Sequence, residues 1–143
     1  MKLNITPMPN GQLAKVEMTN PDFFRLLGEQ GIRNLISDHY NLLKKSNISN
    51  LFPQDEIAFE QAKLHSSDFF IQVLGGHPYF NENRGNPMLR KRHQPFKITA
   101  DARITWLECY QEILPKLKIP ENLIISFWNY LDSFSMMMVN TAN

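Results

Sequence analysis

Between Gln30 and Val139 the apolar residues recur every three or four positions in four long stretches. Nowhere do they keep the two-residue rhythm of a strand over a useful length. That spacing commits the chain to helices, because residues three and four apart share one helical face. The first stretch runs from about Gln30 to Lys45, with Ile32, Leu35, Ile36, His39 and Leu43 on its stripe. Pro53-Gln54-Asp55-Glu56 reads as the start of the second, with its acidic first turn. It continues to about Leu74 with Ala58, Ala62, Ser66, Phe69 and Val73 turned inward, and Gly75-Gly76 closes it. The third covers about Ala100 to Leu114, with Ile104, Leu107 and Ile113 on the apolar side. Pro115 and Pro120 bracket a turn, and the last helix, about Glu121 to Val139, carries Leu123, Ile124, Phe127, Leu131, Phe134 and Met138. The expected fold class is all-α.

Two segments fall outside this pattern. Residues 1–21 hold Pro7, Pro9, Asn10-Gly11 and Asn20-Pro21, and read as an extended arm ahead of the fold. From Gly76 to Asn86 the chain is rich in turn formers, and a short helix follows. Asn86 serves as its expected N-cap and Pro87 as its first residue. Pro95 disfavours helical geometry at Gln94, so this helix ends near His93. A long irregular stretch inside a compact domain is often functional.

At 143 residues the chain is long enough for one domain with one substantial core. The net charge of +1 gives no bulk electrostatic case for nucleic acid or for an acidic partner. A single cysteine, Cys109, has no internal disulfide partner and sits in an apolar-periodic helix, which favours a buried, inert thiol. No apolar run approaches the roughly 20 residues of a membrane span, and the start lacks the order of a signal peptide. No membrane partner and a cytoplasmic location are the expectations.

The chemistry concentrates in Arg90-Lys91-Arg92-His93-Gln94-Pro95-Phe96-Lys97-Ile98, followed at short range by Trp106. One imidazole ends a short helix, cations lie beside it, and aromatics are close. These are the parts that hold an iron porphyrin: a neutral nitrogen ligand, cations for its propionates and apolar walls for its faces. Arg92 and Arg90 are the nearest cations, and an arginine can bond a carboxylate through two donors. The same residues also read as a solvated basic turn, or as a nucleic-acid or interaction patch over 90–97 on a haem-free helical module. Of the other histidines, His39 is either a core or a surface residue, His65 a surface or cofactor-edge residue near Lys63, and His77 an exposed turn residue.

Other motifs accompany this segment: Leu27-Gly28, His39-Tyr40, Leu51-Phe52-Pro53, Gly75-Gly76, Asn83-Arg84-Gly85-Asn86-Pro87 and Arg103-Ile104-Thr105-Trp106-Leu107. Their order and spacing resemble the group II truncated haemoglobins, from about Phe24 to Met138. The resemblance implies a two-over-two helical sandwich around haem b, with residues 22–143 as the globin domain and residues 1–21 as an arm. It implies His93 as the proximal ligand and metal-binding residue, with a carbonyl of the preceding turn, that of Leu89, fixing its tautomer. It places Tyr40, Ser66 and Trp106 on the distal side and the small Ala62 at the gate. Phe52 takes the aromatic position at the first inter-helix turn, Phe69 and Phe70 wall the pocket, and Phe96 and Ile98 lie below. The chain departs from the family pattern at His77, where a proline is usual, and at Phe80, where a tyrosine is common.

The function this resemblance implies is reversible binding of dioxygen, nitric oxide or carbon monoxide. Detoxification of nitric oxide or peroxide is a further expectation. It requires an external reductant, because the chain carries no dinucleotide-binding glycine fingerprint.

Overall fold

A computed structural model describes all 143 residues. Six α-helices account for the regular structure: α1 (Asp22–Leu43), α2 (Glu56–Val73), α3 (Tyr79–Arg84), α4 (Leu89–His93), α5 (Ala100–Ile113) and α6 (Glu121–Ser135). Single 3-10 turns follow α1, α5 and α6, at Ser49–Leu51, Leu114–Lys116 and Met136–Met138. There are no strands. α1 packs against α2, α5 and α6, and α5 against α6. The backbone of α2 comes close mainly to α1 and α3, which leaves room between α2 and α5. No helix is long and apolar enough to cross a membrane.

α1 begins eight residues earlier than the apolar stripe suggests. The Asn20 side chain accepts the Asp22 N–H at 2.9 Å and opens the helix. Gly28 then breaks it with φ 72° and ψ 173°, a conformation essentially confined to glycine. The break resets the helical phase, so the stripe legible from Gln30 does not extend back to the buried Phe23. α2 starts at Glu56 because Asp55, not Pro53, is the cap: its carboxylate accepts the Ala58 N–H at 2.9 Å. It ends where the Gly76 N–H reaches the Ile71 carbonyl at 2.8 Å. A Cβ on Gly76 would stand 2.6 Å from Phe24, so this close approach also requires glycine.

The turn-rich stretch contains a short helix, α3, that its composition hides. Phe80 supplies the reason, being 4% exposed and edge-on to Phe69 at 6.0 Å. Gln72 holds α3 in place by bonding both the side chain and the N–H of Asn81, at 3.0 and 2.9 Å. α4 begins at Leu89, not at Pro87, and Met88 precedes it with φ 42°. The carbonyls of Asn86 and Pro87, which a longer helix would turn along its own axis, instead accept from the Arg92 guanidinium at 3.0 and 2.6 Å. α4 does end at His93, yet Gln94 keeps helical angles (φ −54°, ψ −37°) despite Pro95. A turn closed by the Phe96 N–H on the His93 carbonyl at 3.0 Å holds it there.

α5 is capped by Thr99, which accepts the Ala102 N–H at 3.0 Å. Ile104, expected on its apolar side, is 39% exposed. The core sits where α1, α5 and α6 converge with the C-terminal part of α2, and it mixes leucine and isoleucine with a set of packed aromatic rings. Phe23 stacks on Phe127 with centroids 4.5 Å apart, and Phe70 meets Phe127 at 6.0 Å.

The arm lies on α5 and α6 without regular structure. Leu3 enters the core, the Trp128 indole donates to the Asn4 carbonyl at 2.9 Å, and Gln111 donates to the Leu3 carbonyl at 2.7 Å. Thr6 donates to Asp132 through its N–H at 2.9 Å and its hydroxyl at 2.6 Å.

Candidate functional site

Between α2 and α5, closed from the side by α4 and the Phe96–Ile98 segment, lies a cavity of about 650 Å³. Its size suits a cofactor, and most of its lining is apolar. It brings together His93, Arg92, Phe52, Phe69, Phe96, Trp106, Tyr40, Ser66 and Ala62, along with Phe70 and Ile98. No three carboxylate, thiol or imidazole groups converge to cage a bare metal ion.

His93 is half-buried at the end of α4. Its Nδ1 lies 2.6 Å from the Leu89 carbonyl oxygen, one helical turn back. A carbonyl only accepts, so Nδ1 carries the proton and Nε2 is left with a lone pair. Asn140, near the C-terminus, fixes the backbone around this ring. Its amide donates to the carbonyls of His93 and Phe96 at 3.2 and 2.9 Å, and its oxygen accepts the Ile98 N–H at 2.9 Å. No sequence pattern marks Asn140, because the contact spans more than 40 residues.

One helical face of α4 reaches the cavity, with Leu89, Arg92 and His93 at relative positions 0, 3 and 4. Arg90 lies off that face, is exposed and does not line the cavity. Arg84, at the end of α3, lines the cavity instead. The guanidinium groups of Arg84 and Arg92 lie over the Phe80 ring, at 5.9 and 5.1 Å from its centroid. Arg92 also holds three carbonyls, those of Arg84, Asn86 and Pro87. His65 reaches the same end of the cavity, with its Nδ1 buried and unpartnered. Burial, then the charge of Arg84, pushes its pKa down. Two cations and an orphaned polar nitrogen at the edge of an apolar cavity suit a flat cofactor that ends in carboxylates.

Lys63 does not reach this edge; it bonds Ser37 and Asn41 at 3.0 and 2.8 Å. His77 is likewise outside, half-exposed and 2.7 Å from Glu82.

On the opposite wall stand Tyr40 and Trp106. The Tyr40 ring meets Phe52 edge-on at 5.4 Å, and its hydroxyl interacts with Ser66. Burial raises the Tyr40 pKa, and Ser66 offsets part of that rise, so the phenol stays a proton donor. The Trp106 indole lines the cavity and its N–H meets no acceptor in the protein. The other indole, that of Trp128, is engaged by Asn4. His39 proves to be a core residue, 1% exposed, with Nε2 at 2.9 Å from the Trp106 carbonyl. Arg103 and Tyr110 also border the cavity, and neither was a candidate from sequence. Arg103 is 3% exposed and donates to Ser135, Asp132 and the Thr6 carbonyl, so it reads as structural. Cys109 is 9% exposed, and burial raises its pKa, which keeps the thiol protonated.

Comparison with known proteins bears on this site. The family model described as bacterial-like globin matches residues 22–140. The group 2 truncated hemoglobin YjbI of Bacillus subtilis is 27% identical over 118 residues, covering 82% of this chain and 87% of that protein. The crystal structure of the phosphate-bound Hell's gate globin IV superposes with a TM-score of 0.86 at 32% identity, over 91% of this chain and 81% of its own. The group II truncated hemoglobin of Bacillus anthracis superposes with a TM-score of 0.78 at 31% identity, over 85% of this chain and 98% of its own.

Proposed function

Since the chain belongs to the bacterial-like globin family, among its group II truncated haemoglobins, and so binds haem and small diatomic ligands such as dioxygen, we propose that His93 is the proximal ligand of a haem b group in the cavity between α2 and α5. The observation that carries this is the 2.6 Å contact of His93 Nδ1 with the Leu89 carbonyl, which presents Nε2 to an apolar cavity opposite Tyr40 and Trp106. When bound, haem supplies a ferrous iron that takes up dioxygen, nitric oxide or carbon monoxide reversibly. Arg84 and Arg92, with His65 beside them, would hold its propionates, and Phe69, Phe96 and Ile98, which line the same cavity, would cover its faces. Ala62 leaves the distal side open where a larger side chain would fill it.

The distal donors set selectivity. The Tyr40 hydroxyl and the Trp106 N–H favour a ligand that gathers negative charge over apolar carbon monoxide. A hydrogen bond of this kind contributes about 1 kcal/mol, and up to about 3 kcal/mol when the acceptor is charged. Ser66, which lowers the Tyr40 pKa against the rise from burial, is placed to orient the Tyr40 hydroxyl. Conversion of nitric oxide or peroxide is a second activity within this reading, and it draws electrons from an external reductant. A cytoplasmic setting fits the single protonated thiol of Cys109. The haem-free reading is the weaker one: Arg92, His93 and Phe96 of the 90–97 segment line the cavity, and Arg92 is tied to backbone carbonyls.

The test is the visible absorption spectrum of the purified protein, ferric and reduced, beside His93→Ala. A Soret band that shifts with carbon monoxide and depends on His93 is the expected result. Spectra unchanged in His93→Ala would remove this ligand assignment. Failure to take up stoichiometric haem after addition of hemin would instead return the basic segment to consideration as an interaction face.

A further inference from the structure

His39 lies one residue before Tyr40 on α1, and its ring is the contact through which this turn of α1 meets α5 at Trp106. The Trp106 carbonyl can only accept, so Nε2 of His39 carries the proton and donates across 2.9 Å. The two rings meet edge to face at 5.0 Å and 89°. On its other side the imidazole stacks on Tyr110, with centroids 3.6 Å apart and planes 19° apart. A single buried side chain therefore touches both the backbone and the ring of Trp106, and the residue one turn further along α5. Through its own backbone it is joined to Tyr40.

We propose that His39 is a positioning residue that sets the separation between the Tyr40 hydroxyl and the Trp106 indole, and thereby the preference among diatomic ligands. This rests on the reading of Tyr40 and Trp106 as distal donors. In a helix the Trp106 carbonyl already serves the Tyr110 N–H four residues on, so the His39 bond is a second one on that oxygen. Its purpose is not to satisfy an orphaned acceptor. It fixes the rotation and height of the α5 turn relative to α1, where a displacement of an ångström changes a donor's usefulness by large factors. Burial also depresses the His39 pKa to about 3, so the ring stays neutral and the clamp keeps one protonation state through the physiological range.

The experiment uses three forms of the haem-loaded protein: the native chain, His39→Phe and His39→Gln. Phenylalanine keeps a flat ring against Tyr110 and removes the donor; glutamine restores a donor at the reach of Nε2. The chain has two tryptophans, and the Trp128 indole is held by Asn4, so its ¹⁵N–¹H resonance is an internal control. In the carbon monoxide form, His39→Phe should move the Trp106 indole resonance and leave that of Trp128 in place. Dioxygen release should accelerate about tenfold and carbon monoxide release by less than about twofold, the difference a lost or misplaced hydrogen bond makes. His39→Gln should restore both readouts. An unmoved Trp106 resonance, equal acceleration of both gases or no rescue by glutamine would each overturn the proposal. Should His39→Phe not fold, His39→Met fills the space without a donor and takes its place. Trp106→Phe separates the two readings. If it leaves the ratio of gas release rates unchanged, the distal donor role fails, while the indole resonance still decides the clamp.

Discussion

Trp106 and Trp128 are the same residue type in neighbouring helices, yet one indole N–H is bound to Asn4 and the other faces the cavity without a partner. A donor that lines a cavity without a protein acceptor is free to serve a molecule bound there. Trp106→Phe should therefore speed dioxygen release by roughly ten- to a hundredfold while changing carbon monoxide release far less, as measured by stopped-flow displacement. Tyr40→Phe should act in the same direction, more weakly while Trp106 remains, because either donor can substitute for the other.

His39 carries a second consequence at this scale. Its folded pKa of about 3 lies below the ordinary histidine value of 6.5, so the folded state resists a proton that the unfolded chain accepts. The associated stability is complete above about pH 6.5 and falls as pH drops towards 3, by up to about 1.4 kcal/mol per pH unit. Urea unfolding between pH 7 and pH 4 should show a shallower acid dependence for His39→Gln than for the native chain. Identical slopes would mean that this ring does not resist protonation in the folded state.

At the scale of elements, the boundaries are set by contacts with distant residues as much as by local preference. α1 extends to Asp22 because Asn20 opens it and Gly28 permits a break within it. Gly28→Ala meets no steric neighbour within 4 Å, so its cost is purely conformational. It should destabilise the fold by about 1–3 kcal/mol in chemical denaturation, and a neutral result would mean that α1 can straighten freely. α4 starts late because Arg92 captures the carbonyls that an earlier start would need. Its end near His93 does not come from a non-helical Gln94, which stays helical; Pro95 has no N–H with which to continue the ladder. The short α3 was illegible among its turn formers, since one buried phenylalanine does not make a period.

At the scale of the whole molecule, the arm and the cavity share a wall. Arg103 borders the cavity, donates to the Thr6 carbonyl at 2.7 Å, and pairs with Asp132 at 2.8 Å, the carboxylate that also accepts from Thr6. Both members of the pair are largely buried, with side-chain exposures of 2% and 14%. Removing one partner strands the other, so Asp132→Ala should lower stability by about 3–5 kcal/mol. It should also loosen the arm, seen as faster proteolytic cleavage ahead of Asp22. Unchanged stability and cleavage would show that the other contacts of the arm, among them Leu3, Asn4, Glu17 and Asn20, hold it without Asp132.

The helical class and five of the six helices were readable because each depends on local facts: a three-to-four period, a cap, a proline that stops a turn. The matched motifs singled out Tyr40, Ser66 and Trp106, and all three line the cavity. The choice between Arg84 and Arg90 was not readable, because only the assembled face of α4 decides which cation meets the cavity. Nor were Asn140 beneath His93, His39 beneath Trp106 or Arg103 beneath the arm. Each acts on residues tens of positions away through hydrogen bonds to backbone carbonyls. Every residue offers such a carbonyl, so nothing in the sequence marks which one will be used until the helices have packed.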